Sequence, residues 1–196
     1  VTPICVLRTS RDFGSRHVQW LARQVPGLVC LGDQAVDGVP TIPLQYDWPR
    51  WWPKLELFRP DIEGDLLYFD LDTVVLGDIS ALDVGQTTML SDFYRPERPA
   101  SGLMYISQAD KARVWQAFTA DPERHMARCT SGDRWGDQGF LSEVLSPARW
   151  QDLRPGKVIS YKAHVRKGVN PMSADVICFH GQPRPWEVRA GWVPSL

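Results

Sequence analysis

The 196-residue sequence predicts an α/β fold: one Rossmann-like domain with a mixed, mostly parallel central sheet flanked by helices. Short apolar runs alternate with amphipathic stretches, the pattern of strands joined by helices that cover both sheet faces. The length suits a single domain. No internal repeat or low-complexity tract interrupts the alternation.

The elements follow in order. Pro3–Leu7 is a short apolar run and reads as a strand, Ser15–Gln24 is amphipathic and reads as a helix, and Gly27–Leu31 is a second strand. Trp48–Arg59 carries Trp51, Trp52, Leu55, Leu57 and Phe58 and is expected to be a helix. Asp65–Phe69 is a third strand, and Thr87–Leu90 and Leu103–Ile106 are further ones. Asp110–Ala120 and Gln138–Leu145 read as helices, and Asp175–Phe179 as a late strand. Proline is frequent within 40–53, 96–99 and 183–194, where interleaved aromatic residues argue for ordered loops.

Composition narrows the function classes. Hydrophobic residues make up 43% and charged residues 23%, an ordinary globular balance. With 22 basic and 23 acidic residues, no bulk charge draws the chain to nucleic acid, which is not expected as a partner. No apolar run is long enough to span a membrane. Residues 1–4 lack the basic segment and apolar core of a signal peptide, and no initiator Met is present. Cys5, Cys30, Cys129 and Cys178 are widely spaced and three of them sit in apolar runs, so neither a zinc site nor a disulfide framework is expected. A reducing cytoplasm is the simplest setting.

The most informative stretch is Leu66-Leu67-Tyr68-Phe69-Asp70-Leu71-Asp72-Thr73-Val74-Val75. An apolar strand ends in two carboxylates. In extended backbone, residues two apart face the same side, so Asp70 and Asp72 are candidates to share one cation. Two close carboxylates repel each other, and a divalent metal relieves that. Ligands of open α/β sheets bind beyond the carboxyl ends of strands, where this pair falls.

Four further segments extend the pattern. They are Trp52-Pro53-Lys54-Leu55-Glu56-Leu57-Phe58-Arg59-Pro60, Ser101-Gly102-Leu103-Met104, Trp135-Gly136-Asp137-Gln138-Gly139-Phe140-Leu141, and Phe179-His180-Gly181-Gln182-Pro183-Arg184-Pro185-Trp186. Together with the carboxylate strand, this ordered set resembles the family 8 glycosyltransferases and their small bacterial or phage relatives over about residues 48–190. The resemblance implies the A-type glycosyltransferase (GT-A) fold in one domain, with 1–92 as a nucleotide and metal half and 93–196 as a sugar and acceptor half. It implies transfer of a sugar from a nucleotide diphosphate sugar, a UDP-sugar in the first instance, to a hydroxyl acceptor with retention of configuration.

The same resemblance distributes roles. Asp70, Asp72 and His180 hold Mn2+ or Mg2+. Lys54, Gly181 and Arg184 serve the diphosphate, and Asp137 and Gln138 contact the transferred sugar. Arg8, Thr9 and Ser10, after the first strand, stand where this fold binds base and ribose, and Lys162 closes over the site from Tyr161-Lys162-Ala163-His164. Asp33 is a further nucleotide-side candidate, and Asp92 a donor- or acceptor-side one.

Two departures stand out. Counting back from Arg184, which replaces the family's Lys, the family's metal-binding His falls on Cys178, while His180 lies two residues later. Along a strand the two would face the same side, and a thiolate is a poor ligand for Mn2+ or Mg2+. Where the family often has an Asn, this chain has Ala100. His17 and His125 are expected on surfaces, without a role. Of the nine tryptophans, Trp20, Trp115 and Trp150 are expected in the core, and Trp186 beside Arg184. Trp135 stands beside Asp137, and Trp48, Trp51 and Trp52 are candidates for an acceptor platform.

Two rivals remain open. Asp70–Val74 also matches the first motif of haloacid-dehalogenase-like phosphatases, with Ser91, Lys111 and the Gly132-Asp133…Asp137 segment as later motifs. Against that, roughly 65 structured residues precede Asp70, and 124–130 is too polar for a central strand. An inactive nucleotide-sugar-binding module is the second rival.

Overall fold

A computed structural model describes residues 1–132 and 134–196. The strands are β1 (Thr2–Leu7), β2 (Val29–Gly32), β3 (Thr41–Pro43), β4 (Leu66–Phe69), β5 (Thr73–Val75), β6 (Thr88–Ser91), β7 (Pro99–Ile106), β8 (Thr130–Ser131), β9 (Arg134–Trp135), β10 (Ala148–Arg149), β11 (Val158–Ser160) and β12 (Val176–Cys178). The helices are α1 (Ser15–Ala22), α2 (Gln108–Thr119), α3 (Pro122–Arg128), α4 (Gly136–Val144) and α5 (Trp150–Leu153).

Seven strands form the main sheet in the order β10-β6-β7-β4-β1-β2-β3. Only β7 runs against its neighbours, pairing antiparallel with both β4 and β6, so the sheet is mixed and mostly parallel as the sequence implies. A smaller sheet, β11-β12-β5, stacks beside it. Its β5–β12 pair is antiparallel and sets Thr73 opposite Cys178.

All four residues of β4 are buried, because both faces of the sheet are covered. Leu67 and Phe69 enter one core with α1 and the small sheet. Leu66 and Tyr68 enter the other, with Trp52, Phe58, Phe118 and Phe140. Side chains alternate along a strand, so this run feeds two cores at once, each fully buried large apolar side chain contributing about 1.5–3 kcal/mol. No helix among the described residues is long and apolar enough to cross a membrane.

Several expectations need correction. The 48–59 segment is no α-helix: Arg50 takes a left-handed φ of +57°, which interrupts any helix running from Trp48, and Trp52–Phe58 forms 3-10 turns. Strand β7 begins at Pro99, four residues earlier than expected, with a bulge in its pairing to β6 at Met89/Leu90. His17 is not on the surface. It is 3% exposed, and its ring packs on Trp186 while Nδ1 accepts from the Gly14 amide. Trp48 and Trp52 belong to the core rather than to a surface platform. Trp20 and Trp150 are fully buried, as expected, whereas Trp115 is half-buried.

Candidate active site

The carboxyl ends of β1 and β4 open into a cleft of about 850 Å3. It is lined by Arg8, Thr9, Ser10, Trp51, Lys54, Asp70, Asp72, Gly102, Asp137, Gln138, His180, Gly181 and Arg184, among others. Eleven of the twelve residues to which the resemblance gives a nucleotide, sugar or metal role line this cleft; the exception is Lys162.

Asp70 continues the β4–β7 pairing by one residue, its amide donating to Gly102 O at 3.0 Å. The Tyr68 hydroxyl donates to Oδ1, and Lys54 Nζ sits 2.8 Å from the same oxygen. A side chain at Gly102 would begin 3.3 Å from Oδ2, so glycine leaves this carboxylate its room. Asp72 reaches the cleft differently from the extended geometry expected. The chain turns at Leu71–Asp72, with the Thr73 amide donating to Asp70 O at 3.2 Å, and so both carboxylates line the cleft through a turn. The β5–β12 pairing then lays residues 180–184 over Asp72. The Gly181 amide approaches its Oδ2 at 3.4 Å, and the Arg184 guanidinium forms a direct ion pair with it.

Charge is balanced within the protein. Lys54 Nζ also stands 3.9 Å from Asp137 Oδ2. Burial opposes the Lys54 charge, but Asp137 and Asp70 outweigh it and hold its pKa above the usual range. Burial pushes the Asp72 carboxyl up, and Asp70 adds to the rise against the pull of Arg184. Asp137 is likewise raised by burial, with Lys54 opposing. Groups perturbed together in one cleft mark a functional-site candidate. Arg184 also lies over the Phe13 ring, 4.7 Å from its centroid, and Phe13 in turn meets Trp186 edge-on.

Asp137 stands in the first turn of α4, where its charge complements the helix dipole. The preceding Gly136 has φ of +62°, and a Cβ there would collide with the Trp51 indole. Trp51 and Trp135 face each other at 5.4 Å across the mouth of the cleft.

The nucleotide-side residues are braced. Thr9 donates to Asp33 through both its amide and its hydroxyl, each at 2.8 Å, so Asp33 supports Thr9 from outside the cleft lining. Arg8 pairs with Asp47, and Ser10 Oγ accepts from the Phe13 amide at 3.1 Å. Lys162 departs from expectation: its Nζ donates to His180 O at 2.8 Å and holds that backbone from behind. Asp92 Oδ1 accepts from the Tyr94 and Arg95 amides, and the residue lines an adjoining pocket with Trp135 and Gln138.

His180 also differs from expectation. Strand β12 stops at Cys178, and His180 adopts a left-handed φ of +39°, so strand alternation does not carry its side chain to the carboxylates. Its Nε2 lies 2.6 Å from Ser160 Oγ, and its ring stacks on Phe93. Burial and then the Lys162 charge lower its pKa to about 4. Among the described residues, no three His, Cys, Asp or Glu side chains are assembled to hold a metal. Asp70, partly exposed, and the buried Asp72 repel each other and fit a divalent cation; His180 is not assembled with them. Nor is Cys178 assembled with them; burial, with Asp70 and Asp72, raises its thiol far above the usual range.

The phosphatase motifs do not assemble. Lys111 donates to the Ile62 and Gly64 carbonyls at 2.7 and 2.6 Å, away from Asp70. Residues 122–128 form α3 rather than a strand. Asp133 lies outside the described residues. Sequence reasoning gave no role to Tyr68 and Ser101, although both stand in the quoted segments, and it missed Ser160, which carries no motif.

No family model and no curated protein sequence matches the chain. Solved structures do. The glycosyltransferase GlyE of Streptococcus pneumoniae TIGR4 superposes with a TM-score of 0.63 at 11% identity, over 94% of this chain and 55% of GlyE. An active-site mutant of LgtC gives 0.62 at 10% identity, over 95% of this chain and 89% of LgtC. The galactosyltransferase LgtC in complex with donor and acceptor sugar analogs gives 0.58 at 11% identity, with the same coverage of 95% and 89%. The chain thus spans little more than half of GlyE and most of LgtC. At these identities the likeness is one of architecture, and the chain has the GT-A fold of glycosyltransferases.

Proposed function

We propose that the chain is a glycosyltransferase that moves a sugar from a nucleotide diphosphate sugar, a UDP-sugar in the first instance, to a hydroxyl acceptor with retention of configuration. The observation that carries this reading is the convergence of Asp70, Asp72, Lys54, Asp137 and Arg184 on one cleft at the strand ends of a GT-A sheet. The order of these residues along the chain matches the family 8 pattern.

In this reading, Arg8, Thr9 and Ser10 receive the nucleoside. Asp70 and Asp72 hold a divalent cation, Mn2+ or Mg2+, which when bound supplies positive charge to the leaving diphosphate. Lys54 and Arg184 release the carboxylates and turn to the phosphate oxygens, Arg184 through the bidentate contact a guanidinium favours. The Gly181 amide lies at the same edge and offers a backbone donor. Asp137 and Gln138 orient the transferred sugar, Asp137 from a buried helix start that fixes its direction. Trp51 and Trp135 offer aromatic faces to an acceptor sugar at the mouth.

Isothermal titration of UDP and GDP, with and without Mn2+, tests the donor site. Metal-dependent binding of one diphosphate is expected. Binding of neither under any condition overturns the reading.

A further inference from the structure

His180 is held on every side but one. Its ring stacks on Phe93 at 5.3 Å, its carbonyl accepts from Lys162, and Nε2 meets Ser160 Oγ at 2.6 Å. Nδ1 makes no hydrogen bond to another residue among the described residues; its polar neighbour is the histidine's own backbone, with the Asp92 and Asp70 charges nearby, and it is not among the buried unpartnered atoms. His180 itself lines the cleft.

The hydrogen on each ring nitrogen follows from proton accounting at Ser160. This serine is fully buried, so no bulk water takes its hydroxyl proton. Its Oγ already accepts from the Ala163 amide at 3.0 Å. The one acceptor in reach of the hydroxyl proton, among the described residues, is His180 Nε2. Were Nε2 protonated, two donors would face Oγ and the buried serine proton would have no acceptor. Buried polar hydrogens are almost always paired, and the hydrogen bond at one ring nitrogen sets the state of the other.

We infer that Ser160 is a positioning residue that fixes His180 with its hydrogen on Nδ1, so that His180 meets the cleft's ligand as an N–H donor and not as a metal ligand. A nitrogen carrying hydrogen has no lone pair for a cation but suits an anionic oxygen. The ligand class is therefore a phosphate oxygen of the donor diphosphate. That second half rests on the nucleotide-sugar reading; the tautomer does not.

Long-range 1H–15N spectra of the 15N-labelled protein at neutral pH test the tautomer, with His180→Gln identifying the resonances. The expected result is a protonated Nδ1 and an unprotonated Nε2 in the wild type. In Ser160→Ala the ring shifts toward the Nε2–H form that a free histidine prefers. A protonated Nε2 in the wild type overturns the inference, and this readout needs no variant other than the one used for assignment. Titrations with MnCl2 and with UDP separate the roles. His180→Ala is expected to keep its Mn2+ affinity within about twofold while losing UDP affinity about tenfold, the latter equal to about 1.4 kcal/mol. A tenfold or larger loss of Mn2+ affinity restores His180 as a ligand and overturns the inference. If the wild type binds no UDP, the nucleotide-sugar reading fails and, with it, the phosphate assignment; the tautomer stands or falls on the nitrogen spectrum.

Discussion

Arg184 is ion-paired to Asp72 although 112 residues separate them in the chain. The contact exists because β5 and β12 are antiparallel neighbours, which lays the loop after β12 across the turn after β4. It gives a buried carboxylate a counter-charge carried by a residue that also faces the cleft. Arg184→Ala is predicted to weaken UDP binding by about ten- to a hundredfold, the range of a charge-assisted hydrogen bond. Arg184→Lys recovers part of the loss, because it keeps the charge without the planar fork. Unchanged affinity in Arg184→Ala, measured by titration calorimetry, contradicts the role.

Lys54 is the counter-charge for two carboxylates, Asp70 and Asp137. Lys54→Met leaves both without it and is predicted to cost about 3–5 kcal/mol of stability, the usual result of removing one partner from a buried pair. Adding Asp137→Asn recovers part of that loss. Urea denaturation of the two variants measures it; equal stability of single and double variants contradicts the coupling.

Asp137 also sets a pH dependence. Its folded pKa is raised above the ordinary 3.8. Its contribution to stability is therefore fully present below that value and lost as pH rises through the folded pKa. Asp137→Asn is predicted to melt higher than the wild type at pH 7, with the gain shrinking toward pH 4. A gain that is absent at pH 7, or that grows on acidification, contradicts the raised pKa.

His180 acts with the opposite sign. Its pKa falls from 6.5 to about 4 in the fold, so the stability it contributes above 6.5 is lost as pH falls toward 4. Across that window His180→Gln is predicted to lose less stability than the wild type. Parallel melting curves for the two proteins rule this out.

Gly136 sits between Trp51 and Asp137, with its Cα packed against the Trp51 indole. Gly136→Ala must hold a left-handed backbone, at about 1–2 kcal/mol, and also displaces the Trp51 indole. Lower thermal stability together with altered fluorescence is predicted, and a wild-type melting point contradicts the packing.

How much of this the sequence carried depends on the kind of signal. The apolar run Leu66–Phe69 announced a buried central strand, because both faces of the sheet are covered there. Most of the acidic and basic residues around the cleft were legible from their order and line it, while Lys162, Asp33 and Asp92 lie outside that lining. Less was legible where tertiary context decides. A left-handed Arg50 interrupts the amphipathic pattern of 48–59, which folds as 3-10 turns from Trp52, with Trp48 and Trp52 buried and Trp51 at the mouth. The left-handed backbone at His180 ended strand alternation one residue too early for a pattern argument to follow. Ser160, between Ile159 and Tyr161, bears no motif; its importance lies in being buried against His180.

The most direct measurement of the central claim is release of UDP or another nucleoside diphosphate from a panel of nucleotide sugars, with and without Mn2+. Metal-dependent turnover of at least one donor is predicted, abolished in Asp72→Asn. No turnover of any nucleotide sugar, together with hydrolysis of a generic aryl phosphate that is lost in Asp70→Asn, would contradict it and make the chain a phosphatase.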